Sequence, residues 1–170
     1  MDIKILAVGR LKEKFWVDAC NEYLKRIKPY ANVRVIEIKE AYTGNNPSDA
    51  ELQSARFAEG EKLLKYVDKT DFLITLEVKG KGFSSEAFAE KIQGFSDEGI
   101  GSIAYVIGGS TGLADNVTEK SNLAISFSKM TFPHHMMRVF CLNRFIELSK
   151  SIGEKHITSR RGEMLKIGYH

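Results

Sequence analysis

The chain has 170 residues, 43% of them apolar, with 25 basic against 22 acidic side chains and a formal net charge of +3. That length and apolar share suit a single globular domain with its own core, and a mixed, mildly basic surface permits an RNA partner without arguing for one. The N-terminus is too short and too charged for a signal peptide, and no run approaches the ~18 apolar residues of a spanning helix, so no membrane role and a cytoplasmic protein are expected. Cys20 and Cys141 lie far apart in the sequence and give neither ligand spacing nor a disulfide framework, so both are expected as thiols and no metal site is expected.

Ile3 to Val8, closed by Gly9, is a short apolar run that predicts a buried strand. Phe15, Trp16, Ala19, Cys20, Tyr23 and Leu24 then recur at helical spacing, and Pro29 ends that helix. Val33 to Ile38 alternates as a half-buried strand does, and Ala41 to Pro47 is a turn-rich loop. Ser48-Asp49-Ala50-Glu51 fits a capping box and predicts a helix to about Tyr66. Phe72 to Val78 predicts a strand left at Lys79-Gly80-Lys81-Gly82, and Ser84-Ser85-Glu86 opens a helix through about Gln93. Ser102 to Ile107 is a near-continuous apolar strand, as expected where both faces of a parallel sheet are covered. Helices alternate with strands throughout, which is the α/β class.

Gly108-Gly109-Ser110-Thr111-Gly112 follows that strand. The spacing is not a dinucleotide fingerprint and no phosphate-loop lysine follows, which argues against a phosphate site. A tight turn and a close backbone approach to a ligand without phosphate both remain open. His134 and His135 at the start of the last helix invite a metal or general-base reading, but adjacent positions on a helix point about 100° apart and do not easily share one ion, and capping or packing is expected for at least one. Met130, Met136 and Met137 read as adaptable core fill. Ser126, Ser128 and Thr131 stand in no triad-like context, which argues against acyl transfer.

The opening Lys4 to Lys14, the block Ile107 to Leu113 and the segment Ser126 to His134 closely resemble the family of ribosomal RNA large subunit methyltransferase H, small bacterial enzymes of the SPOUT class. The likeness runs from residue 1 to about 140. It implies a parallel sheet flanked by helices with a C-terminal trefoil knot, an exception to the rule against threaded loops. It also implies S-adenosylmethionine as cofactor, N3 of a pseudouridine in 23S rRNA of the ribosome as acceptor, and a homodimer whose active sites use both subunits. Carried over residue by residue, the cofactor contacts fall on Leu76, Gly108, Phe127, Ser128, Lys129, Met130, Thr131 and Phe132. No residue in 1–140 is marked as the catalytic base; in the family that role is sought in an Arg-Gly-Glu-x-Tyr-His-Lys tail.

After Phe140 the likeness stops: the family continues with Glu-Gln-x-Tyr-Arg-Ala, whereas this chain reads Cys141-Leu142-Asn143-Arg144-Phe145-Ile146-Glu147. One permitted back-translation of the segment from Phe140, read two bases later, spells LFEQIYRAFKINRGEAYHK and a stop, which is the missing family tail. We therefore expect a frame slip near Val139-Phe140, so that residues 141–170 of a single 1–170 domain form an aberrant tail; a truly divergent tail is the alternative. Such a tail should pack loosely, with Phe145, Leu165 and Ile167 partly exposed. Gly168-Tyr169-His170 comes too late to stand for the family ending. The competing functional reading is a catalytically impaired RNA- or ribosome-binding protein of the same fold. A nucleotide-binding oxidoreductase lacks the early glycine fingerprint and the acidic ribose partner it would need.

Overall fold

The computed structural model describes residues 1–148. Five parallel strands form one sheet in the order β2-β1-β4-β3-β5, with β1 Asp2–Val8, β2 Asn32–Ile38, β3 Asp71–Gly82, β4 Ser102–Ile107 and β5 Leu123–Ser126. Between them run α1 Lys14–Ile27, α2 Asp49–Leu64, α3 Ser85–Asp97 and the single turn α4 Asp115–Thr118. A further helix, α5, occupies residues 134–148. Strand residues alternate between two cores, as the period of two requires. Ile3, Ile5, Ala7, Ile103, Tyr105 and Ile107 face one core with Phe88, Phe95 and Leu142. Leu6, Val8, Ala104 and Val106 face the other, with Leu63 and Val117. The central strands β1 and β4 are thus covered on both sides, which explains their unbroken apolar runs.

The capping box forms as read: the Ser48 hydroxyl accepts from the Glu51 N–H and the Glu51 carboxylate accepts from the Ser48 N–H. Helix α3 runs past the expected end near Gln93 to Asp97, and its last turn is closed by Gly99 N–H to Ser96 O and Ile100 N–H to Phe95 O. Strand β3 does not leave the sheet at Lys79: it continues to Gly82, because β5 pairs first with Ile74 to Leu76 and, after a register shift, with Lys81 and Gly82. Gly80 permits this, since a Cβ there would lie 2.5 Å from the backbone of Ile125. The glycine that looked like a turn is where two backbones touch.

Three packing expectations are corrected. Phe15 is 62% exposed, and only Cys20 and Ile27 of α1 are buried, with Tyr23 and Leu24 partly buried against the same core. Met130 is likewise exposed, at 71%, on the loop before α5. The expected exposure of Phe145 is also overturned. Its ring is 3% exposed and packs edge-on to Tyr105 at 4.6 Å, while Cys141, Leu142, Ile146 and Leu148 are buried beside it. The spacing of these residues gives α5 one apolar stripe, and the sheet face beneath accepts it whatever the origin of the sequence. Ile152, Leu165, Ile167 and the ending Gly168-Tyr169-His170 lie outside the described residues. Both cysteines are buried free thiols. Among the described residues no helix is long and apolar enough to cross a membrane.

Candidate functional site

Because every strand is parallel, all five end at one edge of the sheet, and loops leaving a parallel sheet there form its binding crevice. A cavity of about 650 Å³ opens at that edge between the ends of β3, β4 and β5. Its walls include Leu76 and Glu77 from β3, Gly108 to Ser110 after β4, and Ser126 to Ser128 with Met130 to Phe132 after β5. The cofactor contacts Leu76, Gly108, Phe127, Ser128, Met130, Thr131 and Phe132 carried over from the resemblance are all brought together here. Lys129 lies in the same loop, exposed and outside the wall. Phe127, Ser128 and Phe132 also line a second cavity, of about 290 Å³, on the side of α3.

The glycine turn is a closed loop. Gly109 O accepts from Gly112 N–H at 3.2 Å, and Gly112 has φ +85, a conformation that favours glycine. A Cβ on Gly108 would meet the Gly112 carbonyl carbon at 2.8 Å. The turn is held from outside as well: the Ser110 hydroxyl donates to Glu40 at 2.8 Å and Arg56 Nη1 donates to the Thr111 carbonyl at 3.1 Å. In the β5 loop the Ser126 hydroxyl donates to Ser128 O, and the Ser128 hydroxyl accepts from Met130 N–H at 3.0 Å.

Sequence reasoning missed the wall residues Arg56, Glu77 and Lys79, and it singled out His134 without placing it at the cavity. Glu77 carried a usable signal, being the next residue after Leu76 at a strand end; Arg56 comes from α2 and had none. Arg138, amid apolar neighbours of α5, was also silent. Only 1% exposed, it pairs with Glu37 and donates to the carbonyls of Val8 and Gly9, pinning α5 to the ends of β1 and β2. The His134 and His135 rings are in contact, with centroids 4.0 Å apart, though their outer contacts differ. The His134 ring stands over Gly9, with Nε2 3.7 Å from where a Cβ would sit, and His135 Nδ1 lies 3.9 Å from Glu13. Among the described residues no group of three or more His, Cys, Asp or Glu is placed to hold a metal.

A parallel α/β sheet whose strand-end cavity is built by a glycine turn and a looped segment ahead of the last helix defines a class, and the sequence matches it. Residues 1–145 fit the family described as predicted SPOUT methyltransferase, and the chain belongs to that family. A protein of Methanococcus maripaludis strain C5 that carries the provisional name ribosomal RNA large subunit methyltransferase H is 46% identical over 144 residues, covering 85% of this chain and 91% of that protein. The fold also matches a solved structure, described as a probable methylase family protein from Haemophilus influenzae Rd KW20. It has a TM-score of 0.52 and 13% identity, covering 91% of this chain and 69% of that one.

Proposed function

We propose that this chain transfers a methyl group from S-adenosylmethionine to N3 of a pseudouridine in 23S rRNA of the large ribosomal subunit, in the cytoplasm, as a homodimer with a C-terminal trefoil knot. The observation that carries the reading is the cavity of about 650 Å³ at the strand ends, in a SPOUT-family chain 46% identical to a relative named for large-subunit rRNA. Its size is that of a small-molecule site. The donor set also suits the cofactor: Ile107, Leu113 and Met137 offer apolar faces to a purine, the Glu77 carboxylate suits a cationic sulfonium or ammonium, and Arg56 and Lys79 suit a carboxylate. Gly108 and Gly109 let the backbone come close to a ribose or adenine edge. When bound, the cofactor supplies an activated methyl group and a good leaving group. The protein's share is then to position donor and acceptor and to exclude water. Met130 and Phe132, apolar yet exposed on the cavity loop, are surfaces that a second subunit would cover.

A net charge of +3 gives little intrinsic grip on free RNA, so recognition rests on the shape of an assembled particle. Incubating the 170-residue chain with radiolabelled S-adenosylmethionine and large subunits should label one 23S nucleotide, identified by nuclease digestion and mass spectrometry. No label on particles, or efficient label on a short stem-loop, refutes this reading. One observation favours a second reading: the family match ends at residue 145. On that reading the altered tail leaves a SPOUT-fold protein that binds the ribosome but transfers methyl groups poorly.

A further inference from the structure

The geometry points to His134 as the general base that takes the proton from the acceptor ring nitrogen, a role that rests on the methyl-transfer reading above. His134 is the first residue of α5 and lines the cavity. Half-buried, it is reached from the cavity side, while its Nε2 edge passes over Gly9 at the end of β1. Among the described residues no hydrogen bond occupies either ring nitrogen, so an acceptor lone pair is available. The other ionisable groups of the wall are less suited. Arg56 and Lys79 are donors without an acceptor site, and the Glu77 carboxylate already accepts from the Thr75 hydroxyl at 2.6 Å.

Five influences set the ring's proton affinity. Burial is the largest and lowers it; His135, in ring contact at 4.0 Å, and Arg138 lower it too, while Glu40 and Glu13 raise it. The net direction is below the ordinary imidazole value, so the ring is neutral at pH 7 and ready to accept. The step balances as follows. The N3–H proton passes to the imidazole, and the electron pair left on N3 forms the new bond to the methyl carbon. That carbon's bond to sulfur breaks, the sulfur keeps the pair as a neutral thioether, and the imidazolium later gives its proton to water.

The test uses single-turnover methyl transfer to large subunits by the full chain and by His134→Ala and His134→Asn. Loss of a positioned base should slow transfer by about 10²–10⁴-fold, while calorimetry still detects S-adenosylmethionine binding. Added imidazole should partly restore His134→Ala, an effect that a merely structural role would not produce. The wild-type rate should rise with pH and level off by about pH 7, whereas the variants should keep climbing into the alkaline range. Independently of activity, the His134 ring, followed by NMR in the unliganded protein, should titrate below the ordinary ~6.5. Full activity in both variants, no imidazole rescue, or a ring still protonated at pH 7 overturns the assignment. If the wild-type chain labels no particle at all, the methyl-transfer reading falls, and this role falls with it.

Discussion

Replacing Lys4 with methionine tests the buried charge cluster at the start of β1. The Lys4 ammonium, only 6% exposed, donates to Asp71 at 2.8 Å and also to Asp68. The two acids differ in burial, and that decides which contact matters. Asp68 is 72% exposed, so its pairing contributes little. Asp71 is 1% exposed, and without Lys4 its charge is left buried and uncompensated, a loss of about 3–5 kcal/mol. The Ser102 hydroxyl and the Asp68 N–H still donate to Asp71, which favours the lower figure. For a chain of this size that is a fall in Tm of roughly 6–20 °C. Burial by itself would raise the Asp71 carboxyl, but the hydrogen bonds from Lys4, Ser102 and Asp68 outweigh it and hold the carboxyl below its usual range. Burial by itself would lower Lys4, but Asp68 and Asp71 outweigh it and raise the ammonium. The Asp71 contribution is therefore present above the ordinary carboxylate value near ~3.9 and is lost as pH falls through the depressed one. The Lys4 contribution is full below the ordinary ~10.4 and is lost as pH rises through the raised value. The gap between wild type and Lys4→Met in urea unfolding should be flat from about pH 5 to 9 and narrow in acid. Lys4→Met combined with Asp71→Asn should cost less than the two single changes summed, by roughly 0.5–3 kcal/mol. A single-variant effect within about 0.5 kcal/mol, the range of an ordinary surface change, refutes the reasoning.

Gly108→Val should abolish S-adenosylmethionine binding in calorimetry, because a Cβ at Gly108 meets the Gly112 backbone at 2.8 Å and the turn must open; unchanged affinity removes the glycine turn from the site. Phe145→Ala should cost about 3–5 kcal/mol in urea unfolding, since the ring is buried against Tyr105, and a negligible cost would mean that α5 is not seated as described. Replacing the residues after Phe140 with the ending LFEQIYRAFKINRGEAYHK should raise methyl transfer to particles by orders of magnitude and favour the dimer. Equal activity of the two chains refutes the frame-slip account of the tail.

Much of the fold was legible because it rests on local pattern. The apolar runs Ile3 to Val8 and Ser102 to Ile107, the capping box at Ser48 and the glycine block after β4 depend on residues near one another in the chain. Two of the segments carrying the resemblance, Ile107 to Leu113 and Ser126 to His134, together with Leu76, likewise contribute to the wall of the strand-end cavity. What stayed hidden depends on partners far away in sequence. Gly80 reads as a loop glycine until β5 is laid against it, and Lys4 reads as a surface lysine until the fold brings Asp71, the first residue of β3, within reach. Arg138 shows nothing of its purpose until α5 crosses the ends of β1 and β2. The same holds for the burial of Phe145, where the sheet face decides which helix residues are sheltered, and for His134, whose chemistry is set by burial, by His135 and Arg138 of its own helix, and by Glu13 and Glu40 from two distant segments. Periodicity specifies which residues share a face; desolvation and hydrogen bonding, which tune a side chain, depend on what the chain brings against that face once it has folded.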